Sequence, residues 1–467
     1  MLRFLKGFGP VVLVYLLIAY VMPKPAVVKQ EAWQLFGVFA ATVAGLILQP
    51  VPGGAMVLIG VLFSALVGGL TIQSALSGYS DPMVWLVLTA FLISRALLNT
   101  GLARRIALIF VRMFGTTSVG ITYALAATDA VLATIIPSNG ARSGGVTLPI
   151  ARSIAELYES KPGVTAGRLG AFLMVAVYQS ICMTAAMFFT GQASNPIAAQ
   201  IAGENGFPIT WGSWFLAGSV PGIVSLAVIP PLVMKLFPPE IRKTPEAAEF
   251  AADELRKMGP MSRNERILAL VFVGVCGMWA TAGRHGIDIT VTALLGAAAL
   301  LLTGVLTWED VKSEKTAWDM FVWYGGLVRL GKALNEGGVM RAFADSIGGW
   351  FVDTPWPLMF GAALLIYFYA HYAFASITAH LLSMYPPFLA VLVLKGAPVG
   401  LVAFAFACFV NFSSGLTNYG TTPSPMFFAQ EYVTMKDWFR VAAMVSVANV
   451  LIWSTVGFGW WKLLGIW

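Results

Sequence analysis

The sequence predicts an all-α polytopic membrane protein with about eleven transmembrane helices. Three observations predict it: the composition, the long unbroken apolar runs, and a pattern of polar breaks that recurs in the two halves. Of 467 residues, 58% are hydrophobic and 11% charged, and the mean hydropathy is +0.79, well beyond what a soluble domain carries. The apolar runs are continuous rather than alternating every second residue, which disfavours an outer-membrane barrel. The net charge of +7 is spread among loops, so no nucleic acid is expected as a partner. Cys182, Cys276 and Cys408 lie far apart inside apolar runs, with neither zinc spacing nor a disulfide framework. No metal or cofactor is expected, and no nucleophile and base pair or phosphate loop points to an enzyme.

The N-terminal half, 1–234, opens with Arg3 and Lys6 before an apolar run near 11–22. No small-residue cleavage site follows, so the run reads as a first helix rather than a signal peptide. The stretch from Ala32 to Ser80 is too long for one crossing, and Pro50-Val51-Pro52-Gly53-Gly54 divides it into two. Further spans fall near 83–99, 170–190 and 213–234. Residues 235–266 hold seven basic and six acidic side chains and read as a hydrophilic connector, partly a surface helix. By the positive-inside rule the connector and the N-terminus are expected to be cytoplasmic, and the membrane to be a bacterial inner membrane. The C-terminal half, 267–467, supplies spans near 267–283, 289–308, 318–334, 397–412 and 441–461.

Each half also contains an apolar segment broken by small polar residues, then a full span, then a second break. The first half has breaks at 137–145 and 190–196, the second at 374–380 and 418–425. Ser138 precedes Gly191 by 53 residues and Ser376 precedes Gly420 by 44, so order and approximate spacing repeat, as in secondary transporters built from structural repeats. Unwound backbone at membrane depth must line a wet or protein-filled cavity, because unpaired amides cost several kcal/mol in lipid. Where a helix starts at such a break, free N–H groups and a positive dipole end face an anion.

The candidate substrate site is therefore Ser138 and Asn139 for one carboxylate and Ser376 and Thr378 for the other. Backbone amides around Gly140, Gly191, Thr421 and Thr422 complete the cage, with Asn195 and Asn418 supporting the breaks. Arg142 lies four positions after Ser138, and His380 four after Ser376. The matched offset suggests fixed positive charge beside a dianion. The alternative pairs Arg142 with Asp129 and leaves His380 a hydrogen-bonded core histidine; Asp129 could also carry a proton.

At these residues the chain resembles the divalent anion:sodium symporter family, on the strings PSNGARSGGVTLPI, HYAFASITAH and NYGTTPSPMFF, and within it the branch of carboxylate exchangers. The resemblance implies two inverted repeats, each with a re-entrant hairpin and a discontinuous helix, and substrate between the hairpin tips. It also implies a homodimer whose transport domains move like elevators. Sodium-coupled members carry Ser-Asn-Thr at both tips, whereas this chain has Ser138-Asn139-Gly140 and Ser376-Ile377-Thr378. Gly140 and Ile377 remove tip oxygens, and Arg142 and His380 would repel a cation. The expected activity is sodium-independent antiport of small di- or tricarboxylates such as 2-oxoglutarate, malate, succinate, tartrate or citrate, with Na⁺- or H⁺-coupled symport as the alternative.

Overall fold

The computed structural model describes residues 2–350 and 354–467; the side chains of Arg3 and Lys6 lie outside the described residues. Among the described residues the regular structure is helical, with seven helices long and apolar enough to cross a membrane and shorter apolar ones between them. It opens with α1 (Leu2–Leu16), α2 (Gln30–Leu48) and α3 (Gly53–Leu66). The turn expected at 50–54 is present: Gln49 takes the left-handed conformation that ends α2, and Pro52 leads into α3.

A succession then begins with the span α4 (Pro82–Thr100) and the arm α5 (Leu102–Phe114). The first hairpin consists of α6 (Ser118–Ala133), returning through α7 (Asn139–Arg142), a π turn and α8 (Leu148–Leu157). An interrupted helix, α9 (Gly170–Met187) and α10 (Ser194–Glu204), and the span α11 (Trp211–Leu236) follow. The connector carries α12 (Pro245–Met258), and α13 (Arg263–Ala280) and α14 (Ile289–Leu302) open the second half. The succession then recurs as span α15 (Lys315–Glu336), arm α16 (Val339–Trp350), hairpin α17 (Trp356–Ala370) and α18 (Ile377–Leu394), interrupted helix α19 (Val399–Ser413) and α20 (Pro423–Phe428), and span α21 (Met435–Ile452).

The interrupted helices form the centre. Every residue of α9 and nearly every residue of α19 is buried, as suits a helix apolar on all sides. The two pack on each other, with hairpin arms α6, α17 and α18 against them. A second group, α1 to α4 with α13 to α15, packs mainly among itself.

The hairpins enter from opposite faces. Both ends of the first lie on the connector: the Ser118 amide donates to the Arg242 carbonyl at 3.1 Å, and the Tyr158 hydroxyl meets Glu246 at 2.6 Å. From Arg168, bonded at its carbonyl by the Ile241 amide, the chain crosses through α9 and α10 to Glu204. Leu394, at the end of the second hairpin, lines one cavity with Asn205, on the face away from the connector. The repeats are thus inverted.

Candidate functional site

Two serines start the returning helices in nearly the same way. Ser138 (φ −143°, ψ 107°) accepts the Ala141 amide at 3.1 Å, and Ser376 (φ −145°, ψ 126°) accepts the Ala379 amide at 3.3 Å, each an N-cap. The fourth amide is taken by the cap carbonyl in both, Arg142 to Ser138 and His380 to Ser376, each at 3.1 Å. This leaves the amides of Asn139 and Gly140, and of Ile377 and Thr378, without hydrogen bonds at two helix N-termini.

The breaks lie against the tips. Asn139 donates through Nδ2 to Thr421 Oγ1 at 3.1 Å, joining the first hairpin to the second half. A Cβ at Gly140 would stand 2.7 Å from Thr422 Cγ2. The departure from Ser-Asn-Thr at Gly140 therefore has a steric cause: a threonine there would collide with the opposite break. Asn139 and Ile377 are both buried, so the residue after each cap serine packs into protein. Thr378 is half-buried and Thr422 exposed, and neither hydroxyl makes a hydrogen bond.

Of the two arrangements expected for Arg142 and His380, the structure has the paired one. Arg142 is fully buried, and its Nε lies 2.9 Å from Asp129 Oδ1; Thr184 donates to the other carboxylate oxygen. Its Nη1 donates to the carbonyls of Ile136 and Gly191 at 2.8 and 2.7 Å. The pair is neutral overall, because an unpaired charge at this depth would cost far more than a paired one. His380 Nδ1 lies 2.9 Å from His371 Nδ1, and His371 Nε2 lies 2.9 Å from the Gly420 carbonyl. A carbonyl only accepts, so His371 carries its proton on Nε2 and accepts at Nδ1 from His380. Both rings satisfy these bonds while neutral.

Of the backbone around the breaks, the Gly191 and Thr421 amides are themselves engaged: they donate to the Phe188 carbonyl at 2.8 Å and to Ser424 Oγ at 3.1 Å. Asn195 bonds the carbonyls of Ala185 and Phe188, both at 2.8 Å, and accepts from Asn411 at 2.8 Å. Asn418 is half-buried and makes no hydrogen bond. The second break is held instead by Tyr178, whose hydroxyl donates to the Ser414 carbonyl at 2.7 Å, and by Gln179, which donates to Gly415 at 2.9 Å. Tyr178, Gln179, Asn411 and His371 escaped the sequence reading. Their signal was available as polar side chains within otherwise apolar, fully buried segments.

Opposed hairpins, two interrupted helices and unpaired donors at the centre define a membrane transporter of the inverted-repeat class. The chain belongs to the divalent anion:sodium symporter family: residues 8–467 match the profile described as the sodium:sulfate symporter transmembrane region. It is 41% identical to the putative malate transporter YflS of Bacillus subtilis over 97% of this chain and 95% of that protein. It is 39% identical to the chloroplastic dicarboxylate transporter 1 of Spinacia oleracea over 96% of this chain and 80% of that protein. The inner membrane protein YbhI of Escherichia coli is 34% identical, over 96% and 95%. The fold resembles that of the YdaH transporter of Alcanivorax borkumensis, with a TM-score of 0.55 at 14% identity, covering 86% of this chain and 88% of that one.

Proposed function

We propose that the chain is an obligatory, sodium-independent exchanger of small di- or tricarboxylates in a bacterial inner membrane, with its N-terminus and connector in the cytoplasm. One observation carries the reading: the breaks have few oxygens to offer a cation and many donors to offer an anion. Arg142 takes the Gly191 carbonyl, His371 that of Gly420, Tyr178 that of Ser414, Gln179 that of Gly415, and Asn195 those of Ala185 and Phe188. A sodium ion needs such oxygens as ligands. Four unpaired amides and the hydroxyls of Thr378 and Thr422 remain, suited to two carboxylates. The named activities of YflS and the plastid relatives agree with that substrate class.

Ser138 with the amides of Asn139 and Gly140 holds one carboxylate, and Ser376 with the amides of Ile377 and Thr378 the other. Arg142 and His380 brace the tips. Exchange is obligatory because empty tips expose unpaired amides, and moving them through a low-dielectric barrier costs several kcal/mol for each group. The hairpins move with α9 to α11 and α19 to α21 as one body against α1 to α4 and α13 to α15, as an elevator in each subunit of a homodimer.

The test is uptake of labelled succinate, malate or 2-oxoglutarate into proteoliposomes, with or without internal unlabelled dicarboxylate and with or without Na⁺. Uptake should require internal substrate and be indifferent to Na⁺; equal uptake into empty vesicles, or an absolute need for Na⁺, rejects the proposal.

A further inference from the structure

A cavity of about 720 Å³ is lined by α18, α10, α2, α15 and α16 and includes none of the hairpin-tip residues. It reaches Ile197, two residues past Asn195, and Leu382, two past His380. Its other end carries Asn205 and Leu394, on the face opposite the connector. The volume suits a small organic ligand. The α18 wall is almost wholly apolar, but α15 presents Tyr324, Lys332 and Asn335, positions that share one helical face.

Tyr324 is fully buried, and its hydroxyl makes no hydrogen bond. Lys332 is exposed and enters no ion pair among the described residues. Glu204, also exposed, faces the same cavity from α10. Gln200, one turn deeper, donates to Asp81 at 3.1 Å and keeps a buried oxygen without a partner. Lys332 at the rim and the unpartnered Tyr324 hydroxyl further along the same face of α15 are two donors on one wall of the cavity. Buried polar groups left without partners are costly, which favours a ligand or water that passes along them.

We propose that this cavity is the access vestibule on the face opposite the connector, and that Lys332 and Tyr324 form a waiting site for one carboxylate of the incoming anion. This rests on the carboxylate reading of the central site. Lys332 raises the local concentration of anions at the mouth, Tyr324 receives the carboxylate next, and Glu204 opposes capture. The site is one-sided, since the cavity opens to one face.

Oriented membrane vesicles, right-side-out and inside-out, test it with labelled succinate at saturating counter-substrate. Lys332→Gln should raise KM about fivefold from the face opposite the connector, leaving the maximal rate and the KM from the connector face unchanged. Lys332→Arg should restore the wild-type KM, Glu204→Gln should lower it, and added salt should shrink both differences. An unchanged KM in Lys332→Gln, an equal change from both faces, or a fall in maximal rate alone overturns the waiting site. A wild-type protein that exchanges no dicarboxylate would overturn the central reading instead.

Discussion

At Gly140 the tip of the first hairpin approaches Thr422 so closely that a single methyl decides whether the two fit. Gly140→Ala should cost about 1–3 kcal/mol of local packing and abolish exchange while the protein still elutes as a folded species. Adding Thr422→Ser removes the opposing methyl and should recover a large part of the rate; a fully active Gly140→Ala protein would refute the close approach. Arg142 makes a different demand. Truncating it strands a buried carboxylate on Asp129, and breaking such pairs costs about 3–5 kcal/mol. In detergent, Arg142→Ala should melt well below wild type, and the paired replacement Asp129→Leu with Arg142→Met should melt higher than the single variant. Equal melting of Arg142→Ala and wild type would remove the pair from the account.

At the scale of elements, the second break keeps its shape because the first half supplies donors from Tyr178 and Gln179, whereas the first is held from within its own half by Arg142 and Asn195. Tyr178→Phe leaves the Ser414 carbonyl without that hydroxyl, at about 1–3 kcal/mol, and should slow exchange without altering expression. An unchanged rate would mean that Tyr178 does not hold the break. The connector is fastened by Arg105, whose Nε lies 2.6 Å from Glu265 Oε1 and which also bonds the Gly259 carbonyl at 2.9 Å. Burial alone would raise the Glu265 pKa, but the Arg105 guanidinium and the Ser262 amide overcome it and hold the carboxyl below its ordinary value. A depressed carboxylate stabilises the folded state above its unfolded pKa, and that contribution fades as pH falls through the lower folded pKa. Proteolysis within 237–262 should therefore increase on acidification below about pH 4, and Arg105→Gln should show the increase already at neutral pH. Resistance unchanged in Arg105→Gln would contradict the fastening.

Much at this scale was legible in the sequence. The two tips, the two breaks and the +4 offset of Arg142 and His380 follow from Gly, Ser, Asn and Pro interrupting apolar runs. The Arg142–Asp129 pair was legible as the alternative to a charge beside the substrate, but spacing could not decide between the two, and nothing in it named His371 as the partner of His380. Nor could spacing show that the Gly191 and Thr421 amides are already taken, or that a glycine at 140 answers a threonine 282 positions later.

Over the whole molecule, the inverted repeats place one hairpin on each face, and the packing separates a hairpin-bearing body from α1 to α4 and α13 to α15. Thr134, in the turn of the first hairpin, and Cys276, on α13, lie across that boundary with Oγ1 and Sγ 3.6 Å apart. Thr134→Cys should form a disulfide with Cys276 under oxidant, stopping exchange until reductant is added. Exchange at the wild-type rate by fully cross-linked protein would exclude movement of the hairpin against α13.

On the exchange reading, the middle of this protein presents donors to an anion and withholds oxygens from a cation. The most direct measurement is the Kd of the purified protein for succinate or 2-oxoglutarate by titration calorimetry, in sodium chloride and in choline chloride at equal ionic strength. The predicted result is the same Kd in both salts. Binding in sodium that disappears in choline would contradict the account.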